Sequence, residues 1–183
     1  MRRSLSDMAT HQLGPDTGTL KVKTYREGVA QKIGHDLVIE VERWEAQVEL
    51  GPDNALESIR LSADSGSLQV LEGNKGVKPL SDKDRRDIRS SIDEKVLRGK
   101  PITFESSSIS TTGGAVSVKG DLTMADATRQ ATFELELGDD GRVQGTLAVT
   151  QSEWGIKPYR GLMGALKVRD EVEIVVDAQL PTA

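Results

Sequence analysis

Residues 133–149 read Phe133-Glu134-Leu135-Glu136-Leu137-Gly138-Asp139-Asp140-Gly141-Arg142-Val143-Gln144-Gly145-Thr146-Leu147-Ala148-Val149. Phe133, Leu135 and Leu137 alternate with Glu134 and Glu136, and a second alternating run carries Val143, Leu147 and Val149. Side chains of a strand point to opposite faces in turn, so each run offers one apolar face to a core. Gly138-Asp139-Asp140-Gly141 supplies turn chemistry between them, and the stretch predicts a β-hairpin.

The same period extends in both directions. Leu20, Val22 and Thr24 alternate with Lys21, Lys23 and Tyr25; Leu37, Ile39 and Val41 alternate with Val38, Glu40 and Glu42. The apolar set then changes phase to Trp44, Ala46, Val48 and Leu50, which predicts a turn or bulge near Arg43. Ile59, Leu61 and Ala63 follow, then Leu68 and Val70, and after them Ile102 and Phe104. Val116, Val118, Leu122 and Met124 come after the turn Thr112-Gly113-Gly114, and Val172, Ile174 and Val176 end the series. About eight to ten short strands joined by tight turns predict an all-β sandwich or closed antiparallel barrel.

One segment has a different period. Residues 81–98 place Ile88, Ile92, Val96 and Leu97 at helical spacing among charges. Ser81 and Asp84 form a capping-box-like start, and Gly99 with Pro101 stops the helix. The inserted helix is amphipathic and is expected to lie on the sheet or plug one barrel end. Its mixed charge run reads as a solvated face, with a partner surface as the alternative. Residues 1–16 are expected to be a disordered tail and 17–183 a single barrel domain.

The chain has 183 residues, enough for one domain with a sizeable core, and a formal net charge of −5. Acidic balance, with Lys and Arg spread among Asp and Glu, argues against nucleic-acid binding. The absence of cysteine excludes disulfides, thiolate metal sites and cysteine nucleophiles. No stretch reaches the roughly 18 apolar residues of a membrane span. Arg2 and Arg3 are not followed by an apolar run, so a cytoplasmic location is expected rather than export.

Catalytic chemistry is sparse. The two histidines, His11 and His35, lie in unlike contexts and make a poor metal site, so no metal or cofactor is expected. Asp36 follows His35 directly, and neighbours on a strand face opposite ways, which argues against a triad. Nucleophile elbows, Walker loops and dinucleotide fingerprints are missing. Glu72-Gly73-Asn74-Lys75-Gly76 lacks the end of a phosphate loop and reads as a connection. His35 is expected to bond a backbone carbonyl or a turn, with a base acting on a bound lipid as the enzymatic alternative.

Several pieces in order resemble the YceI-like family of bacterial lipid-binding, lipocalin-like barrels. They are Lys32-Ile33-Gly34-His35-Asp36-Leu37, Ala63-Asp64-Ser65-Gly66-Ser67-Leu68, the run from Asp84 through Leu97, and Pro101-Ile102-Thr103-Phe104-Glu105-Ser106. Val118-Lys119-Gly120-Asp121-Leu122-Thr123-Met124, Ala127-Thr128-Arg129-Gln130-Ala131 and Gln151-Ser152-Glu153-Trp154-Gly155-Ile156-Lys157-Pro158-Tyr159 continue the likeness. The resemblance implies an eight-stranded antiparallel barrel holding a long-chain isoprenoid lipid or quinone along its axis. Members of the family are often periplasmic, and it implies a possible homodimer. Two departures stand out: no export signal is expected, and only 3% of residues are aromatic. A tunnel here would be lined chiefly by Leu, Ile, Val and Met.

Candidate lipid contacts are Trp44, Phe104, Phe133, Trp154, Tyr159, Leu162, Met163 and His35. Ordinary core packing competes for Phe133. Trp154, Tyr159, Leu162 and Met163 sit in a glycine-hinged stretch suited to a barrel mouth, or to a short helix closing the barrel end. Arg129 reads as a turn residue, with a headgroup contact as the lesser reading. The expected function is carriage or sequestration of an apolar ligand; the alternative is a structural or partner-binding barrel with a filled core.

Overall fold

The computed structural model describes residues 8–27, 34–74, 76, 78–161 and 166–181. Its strands are β1 (Ala9–Leu13), β2 (Gly18–Thr24), β3 (Arg26–Glu27), β4 (Asp36–Val41), β5 (Trp44–Leu50), β6 (Leu56–Ala63) and β7 (Leu68–Asn74). After helix α1 (Asp82–Ser91) come β8 (Ile102–Thr112), β9 (Ala115–Met124), β10 (Ala127–Leu137), β11 (Arg142–Thr150), β12 (Arg160–Gly161), β13 (Leu166–Val168) and β14 (Glu171–Gln179). Eleven of them form one curled antiparallel sheet in the order β1-β5-β6-β8-β9-β10-β11-β14-β2-β4-β7. Strands β12, β13 and β3 make a small separate sheet.

The sheet does not match the expected eight strands one for one, and two local features account for the difference. The first is a corner. Chain β4–β5 runs from one end of the strand order to the other, and β6–β7 returns antiparallel beside it. Pairing continues through the bend: the Glu42 N–H donates to Ser67 O at 2.8 Å and the Asp64 N–H to Arg43 O at 3.0 Å. Two long bent strands therefore appear as four. The corner also produces the phase change expected near Arg43, since Ile39 and Val41 before it and Trp44, Ala46 and Val48 after it are all buried.

The second feature departs from the expected disordered tail of 1–16 at residues 9–13; residues 1–7 lie outside the described residues. Ala9–Leu13 pairs with β5, from Ala9 opposite Leu50 to Leu13 opposite Ala46. Only Leu13 of this strand is buried, so its sequence carries little alternation. Cross-strand bonding supplied by β5, rather than its own apolar face, holds it.

Asp64 fixes the corner. Its carboxylate accepts from the Gly66 N–H at 2.8 Å and from Arg43 Nε at 3.0 Å, and these bonds hold it below the ordinary aspartate range. Ser67, fully buried, donates to Asp64 O at 2.8 Å. The piece Ala63-Asp64-Ser65-Gly66-Ser67-Leu68 is thus the turning of a bent strand.

Helix α1 begins with a complete capping box: the Asp84 N–H donates to Ser81 Oγ and the Ser81 N–H to Asp84 Oδ2, each at 3.0 Å. It continues as a wider turn over Ile92–Val96. Ile88, Ile92 and Val96 pack on the core and Leu97 is buried. The helix covers β7, the last strand in the order, whose edge would otherwise present unpaired carbonyls. Arg85 Nη1 donates to Val70 O at 2.8 Å and Leu71 O at 3.1 Å, beside the β4–β7 register shift. Arg89 donates to Gly66 O at 2.8 Å and Gln69 Oε1 at 3.1 Å. Among the described residues no helix is long and apolar enough to cross a membrane.

Candidate functional site

Curling the sheet turns one apolar face inward. Leu20 and Val22 of β2, Phe104 of β8, Phe133 and Leu135 of β10, and Ile174 and Val176 of β14 all line a cavity of about 150 Å³. Its wall contains only aliphatic and aromatic residues. Two register irregularities keep that face continuous. The shift between Glu49 and Leu50 brings both Leu56 and Ile59 to the wall despite odd spacing. The shift between Ser106 and Ser108 sets Ser107 out of register, after Phe104 has turned inward.

Phe104 of β8 and Phe133 of β10 meet over β9 with ring centroids 5.3 Å apart and planes at 59°, a tilted arrangement favoured by aromatic quadrupoles. The space for Phe104 comes from Gly120. A Cβ there would stand 2.6 Å from Phe104 Cζ and 2.3 Å from Glu105 O. Gly145 does the same for Leu135, whose Cδ2 would lie 2.5 Å from an added Cβ. Sequence reasoning missed both glycines as parts of the wall, because their role depends on which residue lies across the ladder.

The expected contact residues divide. Trp44, Phe104 and Phe133 come together on the cavity wall. Trp154 is only 4% exposed and does not line the cavity; it belongs to the turn Gln151–Trp154 after β11. Its Nε1 donates to Leu122 O at 2.8 Å, and buried Ile156 follows, so this segment closes the barrel end where β9 and β11 finish. Of the two sequence alternatives for this stretch, Trp154 follows the closing one. Tyr159 is 58% exposed and off the wall. Leu162 and Met163 lie outside the described residues.

His35 is off the wall as well. Its Nε2 lies 2.6 Å from Lys78 O, and a Cβ on Gly76 would meet the ring at 2.1 Å. The ring ties the start of β4 to the connection leading into α1. Arg129 Nη1 donates to Thr128 O at 2.8 Å, its own strand.

Near the closed end, the wall gives way to one polar group. Thr24 continues the inward face of Leu20 and Val22 and pairs with Leu37. Its Oγ1 is buried and has no hydrogen-bond partner among the described residues. Tyr25, next in sequence, is engaged elsewhere: its hydroxyl donates to Glu173 Oε1 at 2.9 Å, which raises its pKa above the usual value.

A second, open depression of about 600 Å³ lies outside the barrel at the corner, with Glu42, Arg43, Asp64 and Pro101 on its rim. Its mixed polar and apolar lining and its openness distinguish it from the interior.

The fold is shared with solved structures. BcnA of Burkholderia cenocepacia is 21% identical, with a TM-score of 0.64 over 88% of this chain and 96% of that one. The YCEI protein of Campylobacter jejuni is 11% identical, with a TM-score of 0.51 over 78% of this chain and 84% of that one. No curated protein matches significantly in sequence. The YceI-like domain matches residues 22–180, from the second cavity-facing residue of β2 to just past the end of β14. The chain belongs to the YceI-like family.

Proposed function

We propose that this protein binds a long-chain apolar molecule of polyisoprenoid or isoprenoid-quinone type inside the barrel, carrying or sequestering it rather than transforming it. The observation that carries the reading is the wall: an interior cavity of about 150 Å³ bounded by aliphatic and aromatic side chains. Removing apolar area from water contributes roughly 25 cal/mol per Å², so such a ligand needs few polar anchors. Family membership supports the same class of ligand.

The volume sets a condition. Apolar cavities of about 150 Å³ stay dry and take molecules such as benzene, whereas drug-sized ligands occupy roughly 300–1,000 Å³. A long chain therefore requires Leu and Phe side chains of the wall to rotate and widen the interior. Native mass spectrometry of protein purified from its own host tests the reading, followed by titration of delipidated protein with polyprenols of increasing length. The expected result is a co-purifying apolar mass and affinity that rises with length. A lipid-free mass and no response to any polyprenol would refute it.

The small cavity also favours a second reading, a filled structural barrel. That reading predicts a thermal midpoint unchanged by polyprenols at any concentration.

A further inference from the structure

The interior contains a hydroxyl for which the fold has no use. Thr24 Oγ1 is buried with no partner among the described residues, and buried polar groups ordinarily have one. Its surroundings are apolar: Val22 precedes it on the inward face, Leu37 is its pair on β4, and Val172 lies one residue past the last β2–β14 pair, Lys23 with Glu173. Valine has nearly the same shape and suits a strand as well, so packing and strand preference do not explain threonine here. A desolvated hydroxyl without a partner is a cost that valine would remove.

Position gives the hydroxyl a use. Val22, one inward step away, lines the cavity. Trp154, anchored on Leu122 O, closes the same end of the barrel. Thr24 is not itself on the wall; it stands one inward step beyond Val22, the last residue of β2 to line the apolar cavity.

We propose that Thr24 Oγ1 is the polar anchor of the ligand site. It hydrogen-bonds the single oxygen of an apolar chain that carries a terminal hydroxyl or carbonyl, with that end seated at the Trp154 end. The rest of the chain then lies along the hydrocarbon wall toward Leu56 and Leu180. This assignment rests on the lipid-binding reading above and adds orientation and end-group chemistry to it.

A matched pair of probes separates the two ideas: geranylgeraniol, and the hydrocarbon of the same skeleton with methyl in place of the hydroxymethyl group. Affinities of delipidated full-length protein for both are measured by native mass spectrometry, for wild type, Thr24→Val and Thr24→Ser. The expected result is an alcohol-to-hydrocarbon affinity ratio that falls about two- to tenfold in Thr24→Val, the change due to one neutral hydrogen bond, and is retained in Thr24→Ser. Thr24→Val without ligand should melt no lower than wild type. A ratio unchanged by Thr24→Val overturns the anchor while leaving lipid binding intact. A lower melting point of ligand-free Thr24→Val also overturns it, because the hydroxyl would then serve the fold. Failure of wild type to bind either probe overturns lipid binding and the anchor together.

Discussion

Replacing Gly120 by alanine adds one methyl group to a strand interior, a change that ordinarily helps a protein by narrowing its unfolded ensemble. Here the added carbon has nowhere to go. It would lie 2.3 Å from Glu105 O, 2.8 Å from Ser106 Cα and 2.6 Å from Phe104 Cζ. Phe104 could swing away, though only by disturbing its contact with Phe133. The two backbone atoms belong to the neighbouring strand and can yield only by opening the β8–β9 ladder, in which Ser106 pairs with Gly120. Overpacking of this kind costs about 1–3 kcal/mol, and two backbone clashes place it in the upper half of that range. For a chain of this size about 2–3 kcal/mol lowers the melting temperature by about 4–12 °C. Gly114→Ala is the control: its added carbon meets only Leu137 O at 3.4 Å, an ordinary contact, and the expected change is slight or stabilising. Thermal unfolding followed by circular dichroism measures both. Equal melting points for the two variants would refute the reasoning that Gly120 makes room for Phe104.

Three other outcomes are expected. Trp154→Phe keeps the apolar body but removes the buried bond to Leu122 O, and should cost about 1–3 kcal/mol in urea denaturation. Arg85→Met uncovers the carbonyls of Val70 and Leu71 on the terminal strand; light scattering should show greater self-association than in wild type. Asp64 and Asp177 are both held below the ordinary aspartate value of about 4, Asp64 by the Gly66 N–H and Arg43, Asp177 by Arg142. Their contribution is present at neutral pH and is lost as pH falls below about 4 through the depressed folded values. Solvent screening limits each to at most about 1 kcal/mol. Asp64→Asn should be less stable than wild type at pH 7 and converge on it near pH 2.

The periodic strands were legible because burial on one face writes period two directly into the sequence. Phe133, Leu135 and Leu137 point inward as their alternation requires, and the phase change near Arg43 proved to be the corner. The helix was legible from its cap, since Ser81 and Asp84 interact three residues apart. Ala9–Leu13 was not, because an edge strand with one buried side chain leaves no pattern to read. Nor was the separation of Phe104 from Tyr159. Both are aromatic, yet ladder register places Phe104 on the wall, while Tyr159, just before β12, is exposed. Gly120 and Gly145 failed to stand out for the same reason: a glycine reads as a weakness of its own strand until its neighbour across the ladder is known.

The interior is unevenly packed, and that unevenness bears on how a ligand could enter. On β4, β7 and the end of β11 the inward residues Ile39, Val70 and Val149 are at most 2% exposed and lie off the cavity wall, whereas Leu122, whose carbonyl holds Trp154, lies on it. Elsewhere, Leu20, Leu56, Leu137 and Val143 face the space that remains. Phe104 and Phe133 lie on this wall as its one aromatic pair among the described residues. Close packing transmits any displacement to neighbours, so a chain entering the tightly packed part would have to move Val and Ile side chains, which have few rotamers. A chain entering past Leu20, Leu56 and Leu137 meets side chains unbranched at Cβ that can turn, and the Phe104 ring resting over Gly120. The easier route therefore runs inward from those leucines, and Thr24 is the next residue on the inward face of β2 beyond Val22.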